Sequence, residues 1–110
     1  MIKVLITPRK IITENDTYQS LSTDWFNFLT YSGISFDILT NIDDVDKFIN
    51  YDGIILSGGG DLSTNPFISS SIDIDIEREK IEKKLIAESI KHDIPLIGIC
   101  RGYQSLVNNI

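Results

Sequence analysis

Cysteine and histidine occur once each in these 110 residues, as Cys100 and His92. A lone cysteine makes no internal disulfide, and one cysteine with one histidine is too few ligands for a structural zinc site. Cys100 is therefore expected to be a free thiol in the cytoplasm, with no metal and no cofactor. Basic runs are as scarce: none is longer than Lys83-Lys84, and 10 Lys and Arg against 16 Asp and Glu leave a net charge of -6. That balance excludes a polyanion-binding surface, so neither a nucleic acid nor an anionic membrane is expected as a partner. No apolar run approaches the roughly 20 residues that span a bilayer. The opening "MIKVLITPRK" has neither the apolar core nor the small-residue cleavage site of a signal peptide. There are no internal repeats, no linker and no low-complexity tract beyond "SSSID". A hydrophobic content of 42% with 24% charged residues reads as one soluble globular domain.

What is present is an alternation. Short runs rich in Ile, Val and Leu, apolar throughout as strands covered on both faces should be, occupy residues 2–6, 35–39, 53–57 and 95–99. Between the first two, Tyr18, Leu21, Trp25, Phe28 and Leu29 recur at spacings of three and four, with Gly33 placed to end the helix they predict. Trp25 is expected in the core of that helix face. Residues 43–50 predict a short helix, and residues 75–92 a longer one that buries Ile81, Leu85, Ile86 and Ile90. Glu77 and Glu79 near its start, with Lys91 and His92 at its end, suit the helix dipole. A further helix begins at about Arg101. The fold class is accordingly α/β, a doubly wound, flavodoxin-like parallel sheet. The stretch "DLSTNPFISSSID" has no pattern and reads as a loop or flap over the sheet edge.

Ligands of such sheets bind at the carboxyl ends of the strands, which directs attention to "TPRK", "TNID", "SGGGDL" and "CRGYQ". In "GICRG" a cysteine follows a strand and precedes a helix, with Gly98 and Gly102 removing side chains that would clash in a sharp elbow. The first free N–H groups of the helix face the sulfur and favour the reactive thiolate. Free cysteines are more often simply buried, but the glycine on each side argues for a nucleophile. "SGGGD" exposes backbone N–H groups to an oxyanion, although by itself it is as compatible with a plain turn. It is neither a P-loop nor G-x-G-x-x-G, and Asp61 would repel a phosphate. Arg9, after the first strand, reads as a solvated loop residue or as a partner for a substrate carboxylate.

"ILSGGGDL" followed about forty residues later by "PLIGICRGYQ" resembles the class I glutamine amidotransferases, and within them the γ-glutamyl hydrolases of peptidase family C26. "REKIE", residues 78–82, resembles the Arg-Asp-x-x-Glu element of that branch, with Glu79 where Asp is usual. The resemblance implies that Cys100 attacks the γ-carbonyl of a glutamyl amide and forms a γ-glutamyl thioester that water hydrolyses. It implies an oxyanion hole from the backbone N–H groups of Gly59 and Arg101, and a glutamyl site beside Gly60, Asp61 and Gln104. For Gln104 an exposed position on the new helix is the alternative. The family completes its triad with a His and a Glu far downstream of the nucleophile, so residues 1–110 are expected to be the N-terminal half of one such domain, nearly inert by itself. His92, at the amino-terminal edge of the last strand, is no substitute. The expected partner is a small γ-glutamyl substrate, a γ-glutamyl amine by family default or a γ-glutamyl nucleotide-type conjugate, whose leaving group would be met by a flap over residues 62–73. A glutaminase feeding ammonia to a synthetase partner, and a non-catalytic redox module with a reactive elbow cysteine, are the alternatives. Leu106, Val107 and Ile110 would lack packing partners, so the isolated chain is expected to aggregate or form a homodimer.

Overall fold

A computed structural model describes residues 1–59 and 75–110. β1 (Lys3–Thr7) lies inside a four-stranded sheet, between β4 (Ser35–Ile38) on one side and β5 (Gly53–Leu56) on the other, and β6 (Leu96–Gly98) completes the order β4-β1-β5-β6. All pairings are parallel, with Leu5 opposite Asp37 and Ile54, and Leu56 opposite Gly98. The inner strands β1 and β5 are apolar and buried because both faces are covered, whereas Asp37 of β4 and Ile97 of β6 are exposed on the outer strands. Side chains alternate between the two faces. Leu5, Ile54 and Leu56 join Leu39, Val45, Phe48, Ile81, Leu85 and Ile86 in one core layer. Val4, Ile6 and Ile55 meet Leu29 in the other. The first layer is roofed by a 3₁₀ helix (Ile42–Asn50), α2 (Ile76–His92) and α3 (Arg101–Asn108), the second by α1 (Thr23–Tyr31). This is the α/β, doubly wound, flavodoxin-like arrangement that the alternation predicts. Among the described residues no helix is long and apolar enough to cross a membrane.

The helix expected to begin near Tyr18 starts later. Tyr18 belongs to β3 (Thr17–Ser20), which pairs antiparallel with β2 (Arg9–Ile12) in a separate two-stranded sheet. A turn tied by Thr13 and Asp16, with backbone and hydroxyl contacts at 2.8 to 3.1 Å, closes this hairpin. Ser22 then caps α1, its hydroxyl accepting from the Asp24 N–H at 3.3 Å. Gly33 ends α1 as expected, with φ +71°, and the Ile34 N–H returns to the Leu29 carbonyl at 2.9 Å.

Three packing expectations change. Ile90 is 62% exposed rather than buried, because the buried stripe of α2 follows Arg78, Ile81, Glu82, Leu85, Ile86 and Ser89. Trp25 is only partly buried, at the margin of the second layer. Leu106 packs against the first layer instead of lacking a partner, whereas Val107 and Ile110 are exposed. Residues 60–74, and with them Gly60, Asp61 and the loop expected over residues 61–73, lie outside the described residues.

The amino-terminal edge of the sheet is closed by a polar seam. The Tyr51 hydroxyl donates to Asp37 at 2.6 Å, and the Lys3 ammonium lies 3.1 Å from the same carboxylate. The Tyr51 hydrogen bond, with the Lys3 contacts, holds the Asp37 carboxyl below its ordinary range. The same bond, with some desolvation and the carboxylate charge, pushes Tyr51 up to about 12. Tyr51 therefore contributes stability that is complete below pH ~10, the unfolded value, and is lost as pH rises through about 12. Alkaline difference spectroscopy is expected to show one of the four tyrosines ionising near pH 12, and Asp37→Asn should return it toward 10.

Candidate active site

The chain steps outward from β1 to β4, then returns past β1 to β5 and β6. The topological switch point therefore falls between β1 and β5, where doubly wound sheets hold their ligands at the carboxyl edge. Thr7 and Arg9 leave β1 there, and Ser57, Gly58 and Gly59 leave β5. The Ser57 hydroxyl donates to the Thr7 carbonyl, and the Ser57 N–H donates to the Thr7 hydroxyl at 3.4 Å.

One strand further along, Cys100 sits between β6 and α3 with φ +53° and ψ -111°, and it is exposed. Left-handed backbone at a non-glycine residue stores about 1–3 kcal/mol and persists only where its surroundings dictate it. Here the dictating contacts lie on both sides. The Ile99 N–H donates to the Leu56 carbonyl at 3.0 Å, which carries the β5–β6 pairing up to the elbow. The helix starts at once, with the Gly102 N–H on the Ile99 carbonyl at 2.9 Å and the Gln104 N–H on the Cys100 carbonyl at 3.1 Å. The two glycines make this possible by having no side chain. A Cβ at Gly98 would lie 2.6 Å from the Gly102 carbonyl oxygen, and one at Gly102 would lie 1.9 Å from the Leu56 carbonyl oxygen.

The triple-glycine segment reaches the cysteine from β5. A Cβ on Gly58 would stand 3.3 Å from the Cys100 Cβ and 4.0 Å from its sulfur. Gly59, at φ +88°, lies under Arg9, whose Cδ and Nε would be 2.6 and 2.9 Å from a Cβ placed there. Arg101 begins α3, so its N–H is one of the first-turn amides that a helix cannot satisfy internally. Among the described residues neither the Gly59 nor the Arg101 amide donates to a protein acceptor. A groove lined by Arg9, Leu21, Trp25, Gly58, Gly59 and Ile99 runs alongside. Gln104 is exposed on the first turn of α3. The structure thus brings Cys100, Gly59 and Arg101 to one edge, with Gln104 one turn away. His92 stays apart at the end of α2, 3.3 Å from a Glu88 carboxylate oxygen and tilted on the Phe48 ring at 5.4 Å.

Beneath this edge is a charged group that local pattern reading assigns no role. Arg78 (4% exposed) donates through its two terminal nitrogens to the carbonyls of Ser57 at 2.6 Å, Gly59 at 2.7 Å and Gly58 at 3.3 Å. Glu82 (0% exposed) lies 3.7 Å from the Arg78 Nε, receives the Thr7 hydroxyl at 3.3 Å and pairs with the Arg101 guanidinium. Burial is the largest influence on Arg78, ahead of the opposing Glu82 charge, and brings it down to about 10, so it is cationic at neutral pH. Besides the resemblance of residues 78–82 to the Arg-Asp-x-x-Glu element, a physical signal in the sequence points to this group. Arg78 and Glu82 are in phase with Ile81, Leu85 and Ile86, and an Arg-Glu pair on the apolar stripe of a helix must be buried together.

The sequence model of the family described as Peptidase C26 matches residues 13–109. A γ-glutamyl-CDP-amidate hydrolase of Campylobacter jejuni is 42% identical over 55 residues, covering 50% of this chain and 26% of that protein. A Schizosaccharomyces pombe protein carrying a glutamine amidotransferase name is 37% identical over 62 residues, covering 52% of this chain and 24% of its own length. Protein NtpR of Enterococcus hirae is 33% identical over 69 residues, covering 59% and 26%. The chain spans about a quarter of the length of these relatives.

Two substitutions probe the site's framework by urea denaturation. Gly102→Ala is expected to cost about 3 kcal/mol or more, because the new methyl meets backbone rather than a yielding side chain. Glu82→Ala is expected to cost about 3–5 kcal/mol, since it leaves two guanidinium groups buried around a missing carboxylate.

Proposed function

The chain belongs to the peptidase C26 family, and from that premise we propose that it carries the nucleophile of a cytoplasmic hydrolase that cleaves a γ-glutamyl amide bond. The observation that carries the proposal is the backbone of Cys100, held at φ +53° against Gly58. An exposed thiol on a strained strand-to-helix turn suits nucleophilic attack from a fixed direction. The Cys100 thiolate adds to the γ-carbonyl carbon, and the carbonyl electron pair moves to oxygen. The N–H groups of Gly59 and Arg101 receive that oxyanion. The amine then leaves with a proton, a γ-glutamyl thioester remains, and water releases glutamate and restores the thiol. Gln104 and the segment at Gly60 and Asp61 bind the glutamyl group.

Proton transfer to the leaving amine is worth about 10²–10⁴-fold. His92 does not supply it, being engaged with Glu88 and Phe48 at the far end of β6. The triad His and Glu of the family are expected in sequence downstream of Ile110. The leaving group is an amine or a nucleotide-type conjugate, the latter suggested by the name of the Campylobacter jejuni relative. The Schizosaccharomyces pombe relative's name supports a second reading, in which glutamine is hydrolysed and ammonia passes to a synthetase. Glutaminase activity that rises when a co-purifying synthetase is added would favour that second reading.

Assayed in the polypeptide as its own cell makes it, Cys100→Ser is expected to lower hydrolysis of γ-glutamyl amides by at least about 10³-fold. Turnover by the serine variant at the wild-type rate would overturn the mechanism.

A further inference from the structure

A Gly-Gly peptide is easily turned over, because glycine populates positive and negative φ about equally. The peptide joining Gly58 to Gly59 is of this kind, yet its orientation decides whether the Gly59 N–H is available to a ligand. A trans peptide holds its N–H and C=O on opposite sides, and no cis peptide occurs among the described residues. Arg78 draws the Gly58 carbonyl at 3.3 Å, and the carbonyls before and after it at 2.6 and 2.7 Å, toward α2. The Gly59 N–H is thereby turned away from the buried guanidinium. The other proposed oxyanion donor follows Cys100 directly, and the side chain of that residue, Arg101, is pinned on Glu82. Glu82 also stands 3.7 Å from the Arg78 Nε. One buried carboxylate therefore holds both donor segments.

We infer that Arg78 is a positioning residue that aims the Gly59 N–H, and that Glu82 couples this aim to the Cys100 elbow. The chemical purpose of the assignment rests on the γ-glutamyl hydrolase reading. The physical assignment does not. A lysine at position 78 keeps the charge but is a single ammonium, unable to span three successive carbonyls as a planar fork does.

The test uses the polypeptide as its own cell makes it, with two probes of Cys100. The thiolate adds to the carbonyl carbon of the chloromethyl-ketone analogue of glutamine, placing charge on oxygen; sulfur then displaces chloride from the adjacent carbon and releases the carbonyl carbon as the ketone re-forms, so this probe reads oxyanion support. Iodoacetamide alkylates sulfur by direct displacement of iodide and reads the thiol alone. Arg78→Lys is expected to shift the Gly59 amide ¹H–¹⁵N resonance and to slow the chloroketone on the order of tenfold, less than the ~10²–10³-fold that follows deletion of an oxyanion donor. Iodoacetamide should react at the wild-type rate. Glu82→Gln, which preserves shape, is expected to give the same pattern and carries the test if the lysine variant does not fold. An unmoved Gly59 resonance with an unchanged ratio of the two rates would overturn the inference, as would an equal fall in both rates. If wild-type Cys100 shows no preference for the glutamine analogue, the γ-glutamyl reading fails, and the Gly59 resonance still decides the positioning role.

Discussion

The carboxylate of Glu82 is the interaction on which the rest of this edge depends. It is fully buried, shared between the guanidinium groups of Arg78 and Arg101, and hydrogen bonded by the Thr7 hydroxyl. None of these groups is tolerable in the interior alone, because an unpaired buried charge carries a desolvation penalty of several kcal/mol. Each therefore requires the others. Thr7 ends β1, Arg78 starts α2 and grips the turn after β5, and Arg101 starts α3. A single shared carboxylate thus joins four elements at this edge of the sheet.

Cys100 is held by a second, steric constraint. Cys100 adopts left-handed backbone because β6 must stay paired with β5 through Ile99 while α3 begins at the next residue. The space for that change of direction comes from Gly98 and Gly102, which pack against each other and against Leu56 at distances no side chain could share. The electrostatic and steric constraints act on adjacent residues. One sets where the sulfur projects, and the other ties down Arg101, whose amide follows it.

Parts of this were legible locally. The inner strands β1 and β5 read correctly because strands covered on both faces are apolar without alternation, the outer strands β4 and β6 because short apolar runs recur between helical patterns, and the elbow because a cysteine flanked by glycines ends such a run. The hairpin of β2 and β3 was not legible. Tyr18 and Leu21 fall at helical spacing from Trp25, and only the pairing of residues 9–12 with 17–20 reveals that Tyr18 is in a strand. Ile90 misled in the opposite way. Its spacing from Ile86 is helical, yet the buried stripe at that level of α2 passes through Ser89.

Sequence alone thus determined the α/β alternation, the parallel sheet, the end of α1 at Gly33 and the identity of the one thiol on an elbow. Those features follow from rules that act within a few residues: hydrophobic period, capping and the steric freedom of glycine. Only the tertiary structure decided that Arg78 clasps the Ser57–Gly59 carbonyls and that Glu82 serves Arg78 and Arg101 together. These partners stand 19 to 21 residues from Arg78, or 19 from Glu82, along the chain. A buried charge announces that it needs a partner, but which partner it meets is set by how the strands and helices pack.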